Sequence, residues 1–199
     1  KNVHFKKIVQ TISYLPHFIS MVIVAGMVRE ILSTSGPINN LITKLGGEAI
    51  TFISLPEWFT TIFVTTGVWQ GLGWGTILYL AAMSGINTEL YEAAELDGAN
   101  RFQQCLHVTI PAILPTISLL VLNIGSLCGS AAFEKVFLLY TPTTYETADI
   151  IATYVYRMGL GSGNYSYATA VGLFQGVINL VLLTVANKVS SWLTGSGLW

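Results

Sequence analysis

Four stretches of this chain, Ile8 to Val28, Trp58 to Thr88, Val108 to Phe133 and Met158 to Asn187, contain no aspartate, glutamate, lysine or arginine. Each is at least as long as the ~20 residues a helix needs to cross the hydrocarbon core of a bilayer. Lipid offers no water to backbone N–H and C=O groups, so such runs must satisfy their own hydrogen bonds as helices. Only 10% of the residues are charged and 52% are hydrophobic, against ~25% charged in ordinary soluble domains. The chain therefore reads as an all-α, polytopic membrane helix bundle. The first run is too long for a signal peptide and leads into more membrane. A net charge of −1 offers nucleic acid no basic surface. Cys105 and Cys128 fall in a polar loop and an apolar run, which builds neither a disulfide framework nor a metal site.

The punctuation between the runs sets the expected organisation. A first span covers about Ile8 to Leu32, with Pro16 either kinking it or marking its start. Turn residues Ser35-Gly36-Pro37 and Gly46-Gly47 lead through a loop to Pro56. The second span runs from Phe59 to Ile86, and a polar stretch follows from Asn87 to His107. Thr109 is expected to cap a third span, with Pro111 in its first turn and Pro115 bending it. A long loop, residues 134–167, should carry a short helix over Asp149 to Met158, with Ile150, Ile151, Tyr154, Val155 and Met158 on one face. The last span covers Ala168 to Trp192. Glycines at four-residue spacing, Gly67/Gly71/Gly75, Gly125/Gly129 and Gly172/Gly176, predict close helix packing in lipid.

The polar stretch between the second and third spans is the most informative segment. Leu90, Ala93, Ala94 and Leu96 give a short helix a small apolar face, while Glu89, Glu92 and Glu95 supply charge. Asp97-Gly98 is a turn signal. Beyond it, Phe102 and Leu106 are expected to anchor a second short helix. Alanines and a glycine permit another surface to approach closely, so this knob suits insertion into a groove on a partner.

The segment also resembles a known motif. Glu92-Ala93-Ala94, then Gly98 and, further on, Val108-Thr109-Ile110-Pro111 are similar to the EAA loop of permease subunits in binding-protein-dependent ABC importers. The triplet Asp97-Gly98-Ala99 resembles the sugar-importer version. SYLPHFIS (Ser13 to Ser20), SGPINNLI (Ser35 to Ile42), Trp69 to Trp74, TYVYRMGL (Thr153 to Leu160) and the terminal Gly197-Leu198-Trp199 resemble the polysaccharide and aldouronate branch. The resemblance implies a type I ABC importer transmembrane-domain fold in one permease domain, residues 1–199. Residues 87–108 would be the cytoplasmic coupling loop and residues 134–167 an extracytoplasmic loop. It implies coupling to an ATP-binding subunit through Glu92, Ala93, Ala94, Asp97, Gly98, Ala99, Ile110 and Pro111. Such permeases usually have six membrane helices and four are visible here. The first two are thus expected to be absent, in keeping with a chain that starts at Lys1 rather than Met.

Further expectations follow from that resemblance. The protein would sit in the bacterial cytoplasmic membrane, both termini and the EAA loop inside. That places five of nine Lys/Arg (Lys1, Lys6, Lys7, Arg101 and Lys188) inside, a slight positive-inside bias. Its partners would be ATP-binding subunits, a second permease subunit, an extracytoplasmic sugar-binding protein, membrane lipid and an oligosaccharide. Gln70, Tyr79, Asn123, Gln175 and Asn179 are polar groups within the spans and so candidates for the substrate path, with Trp69 and Trp74 available to stack on sugar rings. Interhelical hydrogen bonding is the competing role for the amides. Glu134, Lys135 and Arg157 are expected at the outer surface. The chain contains no G-x-x-x-x-G-K-[ST] loop, so ATP and Mg²⁺ would belong to partner subunits and no cofactor to this one. Alternatives are a permease for a non-sugar solute or an intramembrane enzyme. For the latter the histidines His4, His17 and His107 are scattered and Asp97 and Asp149 lie in loops.

Overall fold

The computed structural model describes residues 3–117 and 132–194, and every secondary-structure element among them is helical. The chain divides into two compact units, Lys1–Gly73 with Gly129–Val177, and Trp74–Cys128 with Ile178–Trp199.

In the first unit the expected single kinked span is instead two helices. Helix α1 (Val3–Tyr14) passes through a 3-10 turn, Leu15–Phe18, into α2 (Met21–Ile31), and the two axes are bent by 99°. Pro16 has no N–H to give an upstream carbonyl and sits at the start of the 3-10 turn. Ile19 is then extended, and Ser20 restarts the helix by accepting the Val22 N–H at 3.3 Å. The broken corner is held from outside: Gln70 Nε2 donates to Ile19 O at 3.0 Å. At Gly73 the Ser13 carbonyl lies where a Cβ would stand.

The core of this unit gathers Ala25 from α2, Phe52, Phe59 and Ile62, and Val136, Leu139 and Ala148. Helix α3 (Pro37–Lys44) is fixed by Asn39, which is fully buried. Its Nδ2 donates to Ser33 O and Ile50 O, both at 2.8 Å, and its Oδ1 accepts the Ile50 N–H at 2.7 Å. Arg29 on α2 donates to Leu138 O at 2.7 Å and so caps the C-terminal end of the helix Phe133–Leu139. Thr143 and Thr147 hydroxyls donate to Ser54 O (2.9 Å) and Pro56 O (3.2 Å) at the start of the long helix α4 (Pro56–Ser84).

Two expectations change here. Lys135 is buried rather than at the surface, because its ammonium donates to the Phe63 carbonyl and lies 4.4 Å above the Phe63 ring. Gly67 provides the room, since a Cβ there would stand 2.9 Å from the ammonium. The glycine ladder is not a packing stripe within the described residues either: Gly71, Gly75, Gly172 and Gly176 have no neighbour within 4 Å of a built Cβ. Close approach falls instead on Gly73, where backbone meets backbone.

The segment after Pro142 forms Tyr145–Ala148 and then Ile151–Tyr156, which continues as a π-helix over Arg157–Gly161. The expected short helix is present, and it ends beyond Gly159, with Gly163 at φ 68. The final helix, Tyr165–Thr194, has 30 residues, about 45 Å at 1.5 Å per residue. Only 6% of its most apolar stretch is buried, as a lipid-facing span requires. Among the described residues it is the one helix apolar and long enough by itself to cross a bilayer, and α1 and α2 reach that length only when counted together as one broken span; α4, with 29 residues, has the length but many threonines and glycines. The middle of the expected third span, including Asn123, Gly125, Cys128 and Gly129, lies outside the described residues, as does Gly197-Leu198-Trp199.

Candidate functional site

The polar stretch of the second unit folds as a compact helix–turn–helix. Asn87 caps α5 (Thr88–Leu96): its Oδ1 accepts the Glu89 N–H at 3.1 Å. At the other end the chain must reverse, and Gly98 does so with φ 79, a left-handed conformation that side chains resist. The Gly98 N–H bonds to Glu95 O at 3.0 Å and the Ala99 N–H to Ala94 O at 2.9 Å, which is the Schellman closure of a helix. One residue later Asn100 opens α6 (Arg101–Gln104). Its side chain accepts from the Phe102 and Gln103 N–H groups at 3.0 Å, and Gln103 Oε1 accepts the Asn100 N–H at 2.8 Å. Gln104 Nε2 then donates to Ala99 O at 3.1 Å, so the turn is tied on both sides.

From Cys105 to Thr109 the backbone is π-helical, with the Ile110 N–H reaching Cys105 O, before the short helix Ile110–Ala112. Pro111 explains the widening: it has no N–H for the carbonyl four residues back, and its ring crowds that carbonyl in an α-helix. Thr109 is thus not the cap of a new helix. Its backbone is helical (φ −67, ψ −53) and makes no side-chain cap. Its hydroxyl is instead 2.8 Å from the Tyr91 hydroxyl on α5.

The residues expected to couple are brought together. Glu92 and Ala93 are exposed on α5, Ala94 and Ala99 are half-buried at the turn, Asp97 and Gly98 form it, and Ile110 and Pro111 close the second arm. An open groove of ≈ 440 Å³ runs between the arms past Ala93, Ala94, Gly98, Gln103 and His107. Phe102 and Leu106 do not anchor the second helix. Phe102 is 75% exposed and Leu96, beside the turn, is 90% exposed. Glu89, Glu92 and Glu95 are solvated, with no ion pair among the described residues. Tyr91 and the pair Asn100/Gln103 have no assigned role in the sequence alone, and Thr109 has a different one, as a helix cap. The Asn-x-x-Gln spacing was a visible capping signal, whereas nothing local marks Tyr91.

The candidate path residues are less uniform. The Gln70 amide is engaged by Ile19 O, which favours its structural role. Gln175 is half-buried and Tyr79 exposed, while Asn179 Oδ1 is buried with no hydrogen-bond partner among the described residues. In the 134–167 segment, Arg157 pairs with Asp149 at 2.5 Å and lies 4.4 Å over the Tyr145 ring. The hydrogen bond to Asp149 raises the Arg157 pKa further, so this cation stays charged. Burial lowers the Lys135 pKa.

Residues 5–194 match the family described as the binding-protein-dependent transport system inner membrane component. The chain belongs to that family. That family is one of membrane-integral transport components, and the described residues of this chain have the all-helical fold of type I ABC importer membrane domains. It is 44% identical over 197 residues to the polygalacturonan/rhamnogalacturonan transport system permease protein YteP of Bacillus subtilis (strain 168), a match covering 98% of this chain and 61% of the relative. Protein LplB of the same strain is likewise 44% identical, with 98% and 62% covered. The chain thus spans about three-fifths of these relatives' length. Among solved structures it matches a chain of a bacterial alginate ABC transporter in complex with alginate pentasaccharide-bound periplasmic protein. There the TM-score is 0.92 and the identity 46%, covering 100% of this chain and 69% of the other.

Proposed function

We propose that this protein is the membrane-spanning permease subunit of an ABC importer for an oligosaccharide. In this reading the helix–turn–helix over residues 88–109 inserts into an ATP-binding subunit, and the membrane helices form the translocation path with a second permease subunit. The observation that carries it is the knob itself. Its turn is rigidly closed by Gly98 and Asn100, yet it presents Leu96 and Phe102, 90% and 75% exposed, on a loop otherwise rich in charge. Large apolar groups on a rigid polar knob are what a groove on another protein would cover. ATP and Mg²⁺ then act in the partner. The knob and both termini face the cytoplasm of a bacterial cell, and the 134–167 segment faces an extracytoplasmic binding protein.

Support for a saccharide comes from the relatives, whose names concern polygalacturonan/rhamnogalacturonan, alginate and, at 27% identity, arabinooligosaccharides. Uronate oligosaccharides are therefore the first substrates to screen. Co-purification tests the coupling: the protein is tagged at its own locus, solubilised, and assayed for retained ATP-binding subunit, alone and as Leu96→Asp or Glu92→Lys. Wild type should retain the ATPase and Leu96→Asp should lose it. If wild type retains nothing, or both variants retain it fully, the reading of residues 88–109 is wrong.

A further inference from the structure

We infer that the hydrogen bond between Tyr91 and Thr109 is a latch that makes the coupling knob move as one body with the membrane segment that follows it. The inference rests on the coupling reading above and assigns a mechanical role to two side chains outside the set expected to couple. The knob has two arms, α5 and the helical run Arg101–Ala112. At the tip they are joined by backbone: the Gly98 closure, the Asn100 cap and the Gln104-to-Ala99 bond leave no slack. At the base nothing in the backbone joins them, and each arm leads toward a different apolar run. A force applied at the tip would there splay the arms instead of displacing the helix beyond Pro111. Among the described residues the Tyr91–Thr109 contact, at 2.8 Å, is the one side-chain hydrogen bond between the arms. It closes the knob into a loop of 18 residues' separation.

The π-helical segment is what makes this latch possible. A π-turn adds one residue, about 100° of rotation, to the register of the arm. Pro111 imposes the insertion, and the result brings the Thr109 hydroxyl to face α5, half-buried against a half-buried tyrosine. Partial burial removes competing water, so the bond holds better than one on an open surface. The arrangement also explains a polar side chain in the first residues of an otherwise apolar run, where a lone hydroxyl in lipid would be unfavourable.

The test is a distance measurement in the assembled complex, with permease partner and ATP-binding subunits present. Spin labels are placed at Thr88→Cys, exposed at the base of α5 and outside the coupling residues, and at Thr116→Cys in a Cys105→Ser/Cys128→Ser background, and read by pulsed dipolar spectroscopy without nucleotide and after trapping with ATP and vanadate. Wild type and Thr109→Ser, which keeps the hydroxyl, should show one narrow distance in both states. Tyr91→Phe and Thr109→Val should still retain the ATP-binding subunit on purification. Their distance distribution should broaden on trapping, with the splayed population rising roughly three- to tenfold, the worth of one neutral hydrogen bond. The double variant should be no worse than either single one. Narrow, nucleotide-independent distances in Tyr91→Phe and Thr109→Val would overturn the latch while leaving coupling intact. If no protein, wild type included, retains the ATP-binding subunit, the coupling reading falls and the latch with it.

Discussion

Replacing Asn39 by alanine removes three hydrogen bonds at once, to Ser33 O, Ile50 O and the Ile50 N–H, from a residue with no solvent exposure. Each neutral bond contributes about 1 kcal/mol net, and a buried N–H left without a partner costs about 1–3 kcal/mol. Ser33 and Ile50 are themselves only half-buried. Water therefore reaches part of the vacated site, and the estimate settles near 3 kcal/mol for the described unit. For a chain of this size that is a fall of roughly 6–12 °C in unfolding temperature. Asn39→Asp separates geometry from hydrogen bonding: it fills the same space and still accepts the Ile50 N–H, but sets a carboxylate against two carbonyls. It should be at least as destabilised as alanine. The assay is thermal unfolding of detergent-solubilised protein together with hydrogen exchange at the Ile50 amide, which should lose its protection in Asn39→Ala. An unfolding temperature within 1–2 °C of wild type, with the Ile50 amide still protected, would refute the clamp.

Two further outcomes follow from the same structure. Gly98→Val places a β-branched residue at φ 79 and should destabilise the knob by about 1–3 kcal/mol, seen as faster hydrogen exchange confined to residues 93–104 while the rest of the chain is unchanged. Lys135 binds protons less tightly folded than unfolded, because burial lowers its pKa. The unfolded chain therefore holds more protons as pH approaches the ordinary lysine value, and folded stability should rise from pH 8 to pH 10. The increase should vanish in Lys135→Met, and an identical pH slope in both proteins would contradict the buried-cation assignment.

Some of this was readable from residues alone. The uncharged runs determine helices, because dihedral choice in lipid answers to backbone hydrogen bonding, a local requirement. The reversal at Asp97-Gly98 was equally legible, since only glycine takes a left-handed φ without strain and the turn lies within six residues of chain. The exposure of Leu96 and Phe102 was not: amphipathic spacing identifies an apolar face but not whether that face is covered within the chain. Pro16 illustrates the same boundary, since proline permits a kink, a start or a corner, and the corner is chosen by Gln70 holding Ile19 O from 51 residues away.

The sequence by itself thus determined the class of the protein, its helical character and the closed turn at the centre of its candidate coupling loop. Tertiary structure alone decided that Lys135 is buried against Phe63, that Asn39 clamps Ile50, and that Tyr91 meets Thr109. These are contacts between positions 72, 11 and 18 residues apart. Local sequence carries backbone preference. Which distant polar groups meet depends on how helices pack, and Gly67 and Pro111 contribute to that by creating space and by shifting a register.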